Sequence, residues 1–137
     1  MKKFLLLTLV LLMLMGFSAC GSFTARNDSV YIKIYNNTKI SVKSFALDEY
    51  ESAVLKSTIV AENANGSSYL PNENLIFEVL GANPDTLSFS VKAKDGSGNT
   101  YVSKIVSASV LSRGIISAYS VELSGESLVL NYLGVEE

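Results

Sequence analysis

The chain has 137 residues, 11 Lys and Arg against 13 Asp and Glu, a single Cys, and no His or Trp. That length holds one hydrophobic core, the interspersed charges leave no basic stripe for nucleic acid, and the lack of His excludes Ser-His-Asp and Cys-His catalysis and the usual zinc sites. One Cys permits no internal disulfide, so the fold must hold by packing.

Lys2 and Lys3 precede an apolar run from Phe4 to Met15 that only Thr8 interrupts, and Gly16 and small residues follow. This is the three-part layout of a secretory signal peptide, an N-terminal signal helix over 1–19. The run falls short of the about 20 apolar residues that a membrane span needs. Removing Lys2 and Lys3 with the leader leaves 9 basic against 13 acidic residues, a net charge of -4, and no polybasic patch for anionic lipid.

Ordinary signal peptidase prefers small residues at -3 and -1. A cut before Cys20 places Phe17 at -3, a poor fit; a cut after Ser18, with Gly16 at -3, is the alternative. Phe17-Ser18-Ala19-Cys20 resembles the lipobox of bacterial lipoproteins: a large apolar residue, two small ones and an obligatory cysteine. Phe17 departs from the leucine commonest there. The resemblance implies that Cys20 becomes the mature N-terminus and carries a diacylglyceryl thioether, usually with an amide-linked acyl chain. At about 0.8 kcal/mol per buried CH₂, two or three chains anchor durably where one does not. The partner it implies is a membrane, reached through the lipid on Cys20. Gly21, rather than aspartate, follows the cysteine and favours the outer over the inner membrane of a diderm cell envelope.

Gly21 to Ser29 is small, polar and aperiodic, and reads as a tether; 20–29 is assigned to the lipidated N-terminus and tether, and 30–137 to one β domain. From Val30 the pattern has period two. Val30, Ile32 and Ile34 alternate with Tyr31, Lys33 and Tyr35; Asn36-Asn37-Thr38 interrupts; then Ile40 and Val42 alternate with Ser41 and Lys43, a hairpin signature. Over 48–62, a short helical turn with Asp48 as N-cap competes with a strand at Val54–Val60, and the β-branched Thr58, Ile59 and Val60 favour the strand.

Leu75 to Leu80 reads as a central strand. Leu87, Phe89, Val91 and Ala93 mark a strand bounded by Pro84-Asp85 and by the turn Asp95-Gly96-Ser97-Gly98-Asn99. A β-branched run covers Tyr101 to Val110. After Arg113-Gly114, Ile115, Tyr119, Val121 and Leu123 share a face, and Gly125-Glu126 turns into a last strand, Ser127–Tyr132. Seven or eight short strands at this spacing predict an all-β, antiparallel sandwich or barrel, of which the sandwich is the expectation. The run from Asn36-Asn37-Thr38 through Leu75–Leu80 to Asp95–Asn99 resembles small bacterial envelope proteins with Ig-like sandwiches, an architectural likeness without their Cys…Trp…Cys set.

Several groups are weighed as sites. Asp95–Asn99 offers oxygens but a single carboxylate, and lacks the calcium-loop pattern, so a hairpin turn is the expectation and no metal site is assigned. Asp48, Glu49 and Glu51 form an acidic cluster expected in a solvated loop. Ser52 and Lys56 would meet only on a helix. The Asn-x-Ser/Thr triplets at Asn27, Asn36 and Asn65 are taken as chance. Tyr31 and Tyr35 share the polar side of the first strand and are the candidate binding surface. The expectation is therefore a non-enzymatic envelope module without cofactor, engaging a protein through loops or a strand edge, with an accessory subunit or a small carboxylate or Ser/Lys hydrolase as rivals.

Overall fold

The structure, a computed structural model, describes residues 25–107 and 111–137. Nine strands occur in it: β1 (Ser29–Asn36), β2 (Val42–Glu51), β3 (Val54–Ala61), β4 (Asn74–Leu80), β5 (Leu87–Asp95), β6 (Thr100–Ser103), β7 (Val106–Ser107), β8 (Ile116–Ser124) and β9 (Ser127–Glu136). There is no helix among the described residues. The strands form one mixed sheet in the order β3-β2-β5-β6-β9-β8-β1-β4, with β7 beside β5. The sheet curls until its ends, β3 and β4, approach each other, giving a nearly barrel-shaped body around one core.

The all-β expectation agrees with this, but the pairing is not wholly antiparallel. β1 runs parallel to β8, from Tyr31↔Ile116 to Asn36↔Val121, and β6 runs parallel to β9 over two residues. Parallel neighbours need a long crossover, and here intervening strands supply it. The expected hairpin from Val30 to Val42 does not form: β1 pairs with β4 and β8, and β2 with β3 and β5. The segment between them crosses from one part of the sheet to the other.

Asn36 makes that crossing possible. Its side chain is fully buried. Its Nδ2 donates to the carbonyl of Leu70 at 3.1 Å, and its Oδ1 accepts from the Thr38 hydroxyl at 2.7 Å and the Thr38 N–H at 3.2 Å. These bonds tie the turn to the 62–73 loop. That loop also sends Tyr69 inward, edge-on to Phe45 at 5.5 Å.

The apolar periodicity locates the core. Val30, Ile32 and Ile34 of β1 are all buried, as are Phe45 and Leu47 of β2, Phe89 and Val91 of β5, and Tyr119 and Val121 of β8. Truncating one of the large rings, such as Phe89, would cost about 3–5 kcal/mol in lost transfer energy and residual cavity.

Three further boundaries differ from the sequence pattern. Leu75–Leu80 lies in an edge strand, β4: among the described residues it pairs only with β1, and Glu78 and Leu80 are exposed. The Tyr101–Val110 run divides into β6 and β7, and 108–110 lie outside the described residues. The last strand continues past Tyr132 to Glu136 through a bulge that sets Tyr132 opposite Tyr119 and Gly134 opposite Ala118. Gly134 sits there at φ 120, a conformation open to glycine.

The 48–62 segment holds the end of β2, which runs to Glu51 with no helical turn, and the whole of β3, Val54–Ala61. Ser52 and Ala53 join β2 to β3 with φ of 50 and 66, the type I′ geometry that favours Asn-Gly. Left-handed φ costs an L-residue about 1–2 kcal/mol. Ser52→Asn combined with Ala53→Gly should therefore stabilise the protein by about 1 kcal/mol after the glycine entropy penalty, read as a rise in the urea midpoint at constant m. Tyr119 gives a second prediction. Its ring packs against Phe89 and Tyr132, both at 5.3 Å, while its buried hydroxyl has no hydrogen-bond partner among the described residues; burial, helped by Tyr132, pushes its pKa up to about 12. Tyr119→Phe should keep the packing, remove the stranded hydroxyl and raise stability by about 1 kcal/mol.

Candidate functional site

Phe17, Ser18, Ala19 and Cys20 lie outside the described residues. The candidate surface that the structure does describe is the outer face of β1, where Tyr31, Lys33 and Tyr35 project together. Parallel β8 flanks them on one side and antiparallel β4 on the other.

Tyr31 is not part of an exposed aromatic patch: it is 1% exposed. The chain just before β1 covers it. The Arg26 N–H donates to the Tyr31 hydroxyl at 2.7 Å, which in turn donates to Glu78 Oε1 at 3.2 Å. Ser29 Oγ donates to the same Glu78 oxygen at 2.7 Å. The end of the sequence-predicted tether is thus held against the domain, and Ser29 is the first residue of β1.

Tyr35 is half-buried, and a second network engages it. Its hydroxyl donates to Glu136 Oε1 at 2.5 Å, and Lys33 Nζ lies 2.6 Å from Glu136 Oε2 and 4.9 Å from the Tyr35 ring centre. The hydrogen bond with Glu136 raises the Lys33 pKa, and the same contact lowers that of Glu136. Beside this network an open groove of about 610 Å³ is lined by Ala25, Ile76, Ile115, Ile116 and Val135, with Lys33 and Glu136 at its polar wall. Nothing in the sequence signals this groove, because its walls come from four strands distant in the chain and from the residues entering β1. The Asn36–Thr38 lock was also missed as such, although the Asn-x-Thr spacing is a known local hydrogen-bonding pattern.

The acidic cluster is in a strand rather than a solvated loop, and its members point to different partners. Glu49 accepts from Ser57 Oγ at 2.7 Å, and Glu51 pairs with Lys56 at 3.1 Å. Asp48 is buried, 2.5 Å from Lys92 Nζ and 2.7 Å from Thr58 Oγ1. Alternation along β2 separates Asp48 from Glu49 and Glu51; the latter two border one cleft but are engaged by Ser57 and Lys56. With no helix there, Ser52 stands in a turn while Lys56 lies on β3 beside Glu51.

In the Asp95–Asn99 turn, the aspartate oxygens serve the turn itself. Oδ1 accepts from the Ser97 and Asn99 N–H groups at 2.9 Å each, and Oδ2 from Asn99 Nδ2 at 2.9 Å and the Tyr101 hydroxyl at 3.3 Å. The side-chain bond from Asn99 is the largest cause of the lowered Asp95 pKa. Among the described residues no three acidic or thiol side chains gather to hold a metal ion.

The Asp48–Lys92 pair generates a pH prediction. Burial pushes the Asp48 pKa up, but the Lys92 and Thr58 bonds outweigh it and the net shift is down. The pair therefore stabilises the fold above the ordinary carboxylate value of about 3.9, and this is lost as pH falls through the lower folded value. Lys92→Met leaves a buried, uncompensated carboxylate. It should cost about 2 kcal/mol at pH 7, below the range for fully buried pairs, because the Lys92 side chain keeps 38% of its exposure. The cost should shrink below about pH 4 as Asp48 is protonated in the variant; parallel urea titrations at pH 7 and pH 3.5 measure both.

No protein-family model matches the chain, and no curated protein is similar to it at a significant level. Solved structures do match. A protein from Eubacterium rectale, determined by NMR, shares the overall fold at TM-score 0.51 and 12% identity, over 78% of this chain and 90% of that one. A crystal structure described as a "putative cell adhesion protein" from Bacteroides ovatus aligns at TM-score 0.40 and 10% identity, over 80% of this chain and 45% of that one.

Proposed function

We propose that this protein is a non-enzymatic module of a bacterial cell envelope, anchored by lipid on Cys20 and working as a binding or structural domain at the membrane surface. The observation that carries the reading is the lipobox Phe17-Ser18-Ala19-Cys20 placed directly after the apolar run Phe4–Met15. The β-rich body supports it as a folded cargo for such an anchor. We read that body as a flattened, Ig-like sandwich, in which β4-β1-β8-β9 faces β3-β2-β5-β6 across the shared core.

The mechanism is presentation. Among the described residues two strand edges, β3 and β4, have no neighbour on one side, and β3 is exposed along most of its length. A partner strand added there would gain backbone hydrogen bonds. The half-buried Tyr35 and its Lys33–Glu136 network form a rigid flank rather than a free aromatic anchor. The separate partners of Asp48, Glu49 and Glu51 weigh against a carboxylate hydrolase. An accessory subunit of an envelope complex is the nearest rival and uses the same edges. For location we propose the outer membrane where the cell has two.

Metabolic labelling with a fatty acid tests the anchor. The wild-type protein should incorporate label and sediment with membranes, and Cys20→Ala should do neither. A Cys20→Ala protein that still labels and still sediments overturns the reading.

A further inference from the structure

The ends of the domain differ in polarity. At one end lie the start of β1, the end of β4, the start of β8 and the end of β9, as the registers Ser29↔Leu80, Val30↔Arg113 and Ile116↔Glu136 require. The β2–β3 turn belongs to the same end, because Glu49, Tyr50 and Glu51 border a cleft with Gly81, Ala82 and Asn83. This end exposes Val54, Leu55, Leu80, Ile115 and Val135, each between 40% and 63%. Its charges are largely paired: Arg26 with Asp28 and Lys56 with Glu51, both at 3.1 Å, and Lys33 with Glu136 at 2.6 Å.

At the opposite tip the turns are polar. They comprise Asn37–Ser41, the 62–73 loop, Gly96–Asn99 and Gly125-Glu126, and Leu70 is the large apolar side chain exposed there. Val60, Val102 and Val129 are exposed on the strands within two or three residues of these turns, and Ile105, Tyr132 and Leu133 are exposed elsewhere along the chain.

The chain enters the domain at the apolar end. Ala25 lies in the groove with Gly114, Ile115 and Ile116. Cys20 is five residues earlier, and five residues span at most about 17 Å. A lipid on Cys20 would hold this end within reach of the headgroup layer, where apolar side chains of peripheral proteins bury to a depth of about 5–10 Å. Strands of this length put the opposite tip roughly 30 Å further out.

We infer that the end carrying Val54, Leu55, Leu80, Ile115 and Val135 docks on the bilayer surface, so that the domain stands upright on its anchor and presents the polar turns outward. The inference rests on the lipid-anchor reading. It also selects the lipid: Glu51, Glu78, Asp85, Glu136 and Glu137 outnumber the cations at this end, so the surface suits zwitterionic headgroups better than anionic ones.

The test uses the full, lipidated chain reconstituted in phosphatidylcholine vesicles that contain a doxyl-labelled phospholipid. Leu55→Cys, Leu80→Cys and Val135→Cys variants carry a thiol-linked fluorophore one at a time, with Leu70→Cys and Ser97→Cys as markers of the opposite tip; an acylated Cys20 does not react. Mass measurement of the acyl chains and co-sedimentation report the anchor separately. Lipid-borne quenching should be at least threefold stronger at 55, 80 and 135 than at 70 and 97, and should weaken as anionic lipid is added. Leu55→Glu with Val135→Glu should bring quenching at 80 down to that at 97 while sedimentation persists. Sedimentation with equal quenching at both tips would overturn the docking and leave the anchor standing. Labels at 55 and 80 shielded from lipid-borne and aqueous quenchers alike would mean that a protein, a second copy included, covers this end, and would also overturn it. A chain with no acyl mass that stays in solution overturns both readings.

Discussion

β1 has hydrogen-bonded neighbours on both sides, and those neighbours come from opposite parts of the chain. β4 follows it within about 50 residues, while three further strands, β5, β6 and β7, come before β8. Six of its eight residues are buried, so a register slip would carry Val30, Ile32 and Ile34 out of the core and Lys33 into it. The alternation therefore fixes which β8 residue meets which β1 residue, and β9 is placed by β8 in turn. Both ends of β1 are locked by polar groups: Tyr31 and Ser29 through Glu78 at its start, Asn36 through Thr38 and Leu70 at its end. These bonds terminate the strand and turn the chain away from a hairpin.

That arrangement separates what was legible in the sequence from what was not. The period-two faces of β1, β5 and β8 were readable because each has a buried side and a polar or half-buried side. The strand at Val54–Val60 was readable from its β-branched residues, although most of β3 is exposed and only Ile59 and Ala61 pack partly against the core. Pairing partners were not readable. Adjacent strands most often form hairpins, but the β1–β2 connection is held open by a buried asparagine that bonds locally to Thr38 and, through Nδ2, to the carbonyl of Leu70, 34 residues away. The apolarity of Leu75–Leu80 predicts a central strand and β4 is an edge, because apolarity marks burial of side chains, not the presence of neighbours on both backbone edges. The extension of β9 to Glu136 depends on a bulge, which shifts the very alternation used to recognise a strand.

The candidate sites follow the same division. Asp48, Glu49 and Glu51 looked like a solvated cluster, yet their strand turns them to different neighbours. Asp48 is tolerable in its buried position because Lys92 and Thr58 come from the strands on either side of β2. Tyr31 looked like a surface ring because it alternates with Ile32, yet residues ahead of the strand close over it. Much of the domain's polar chemistry is thus engaged in holding strand ends and turns. What remains open to a partner is backbone at two edges and apolar surface at one end, neither of which is encoded in a short motif.

In the proposed arrangement the anchor changes how much that apolar end has to contribute. A free domain would have to offset its translational and rotational entropy to rest on a bilayer, and a few half-exposed aliphatic side chains among carboxylates would not suffice. A leash of five residues makes the contact intramolecular, so the effective concentration of bilayer is high and weak contacts are enough to set an orientation. A larger or fully apolar end would hold the membrane better, but before anchoring it would also be an aggregation surface. The mixed, largely charge-paired end seen here fits a domain whose affinity comes from the lipid and whose side chains need only choose which way up it stands.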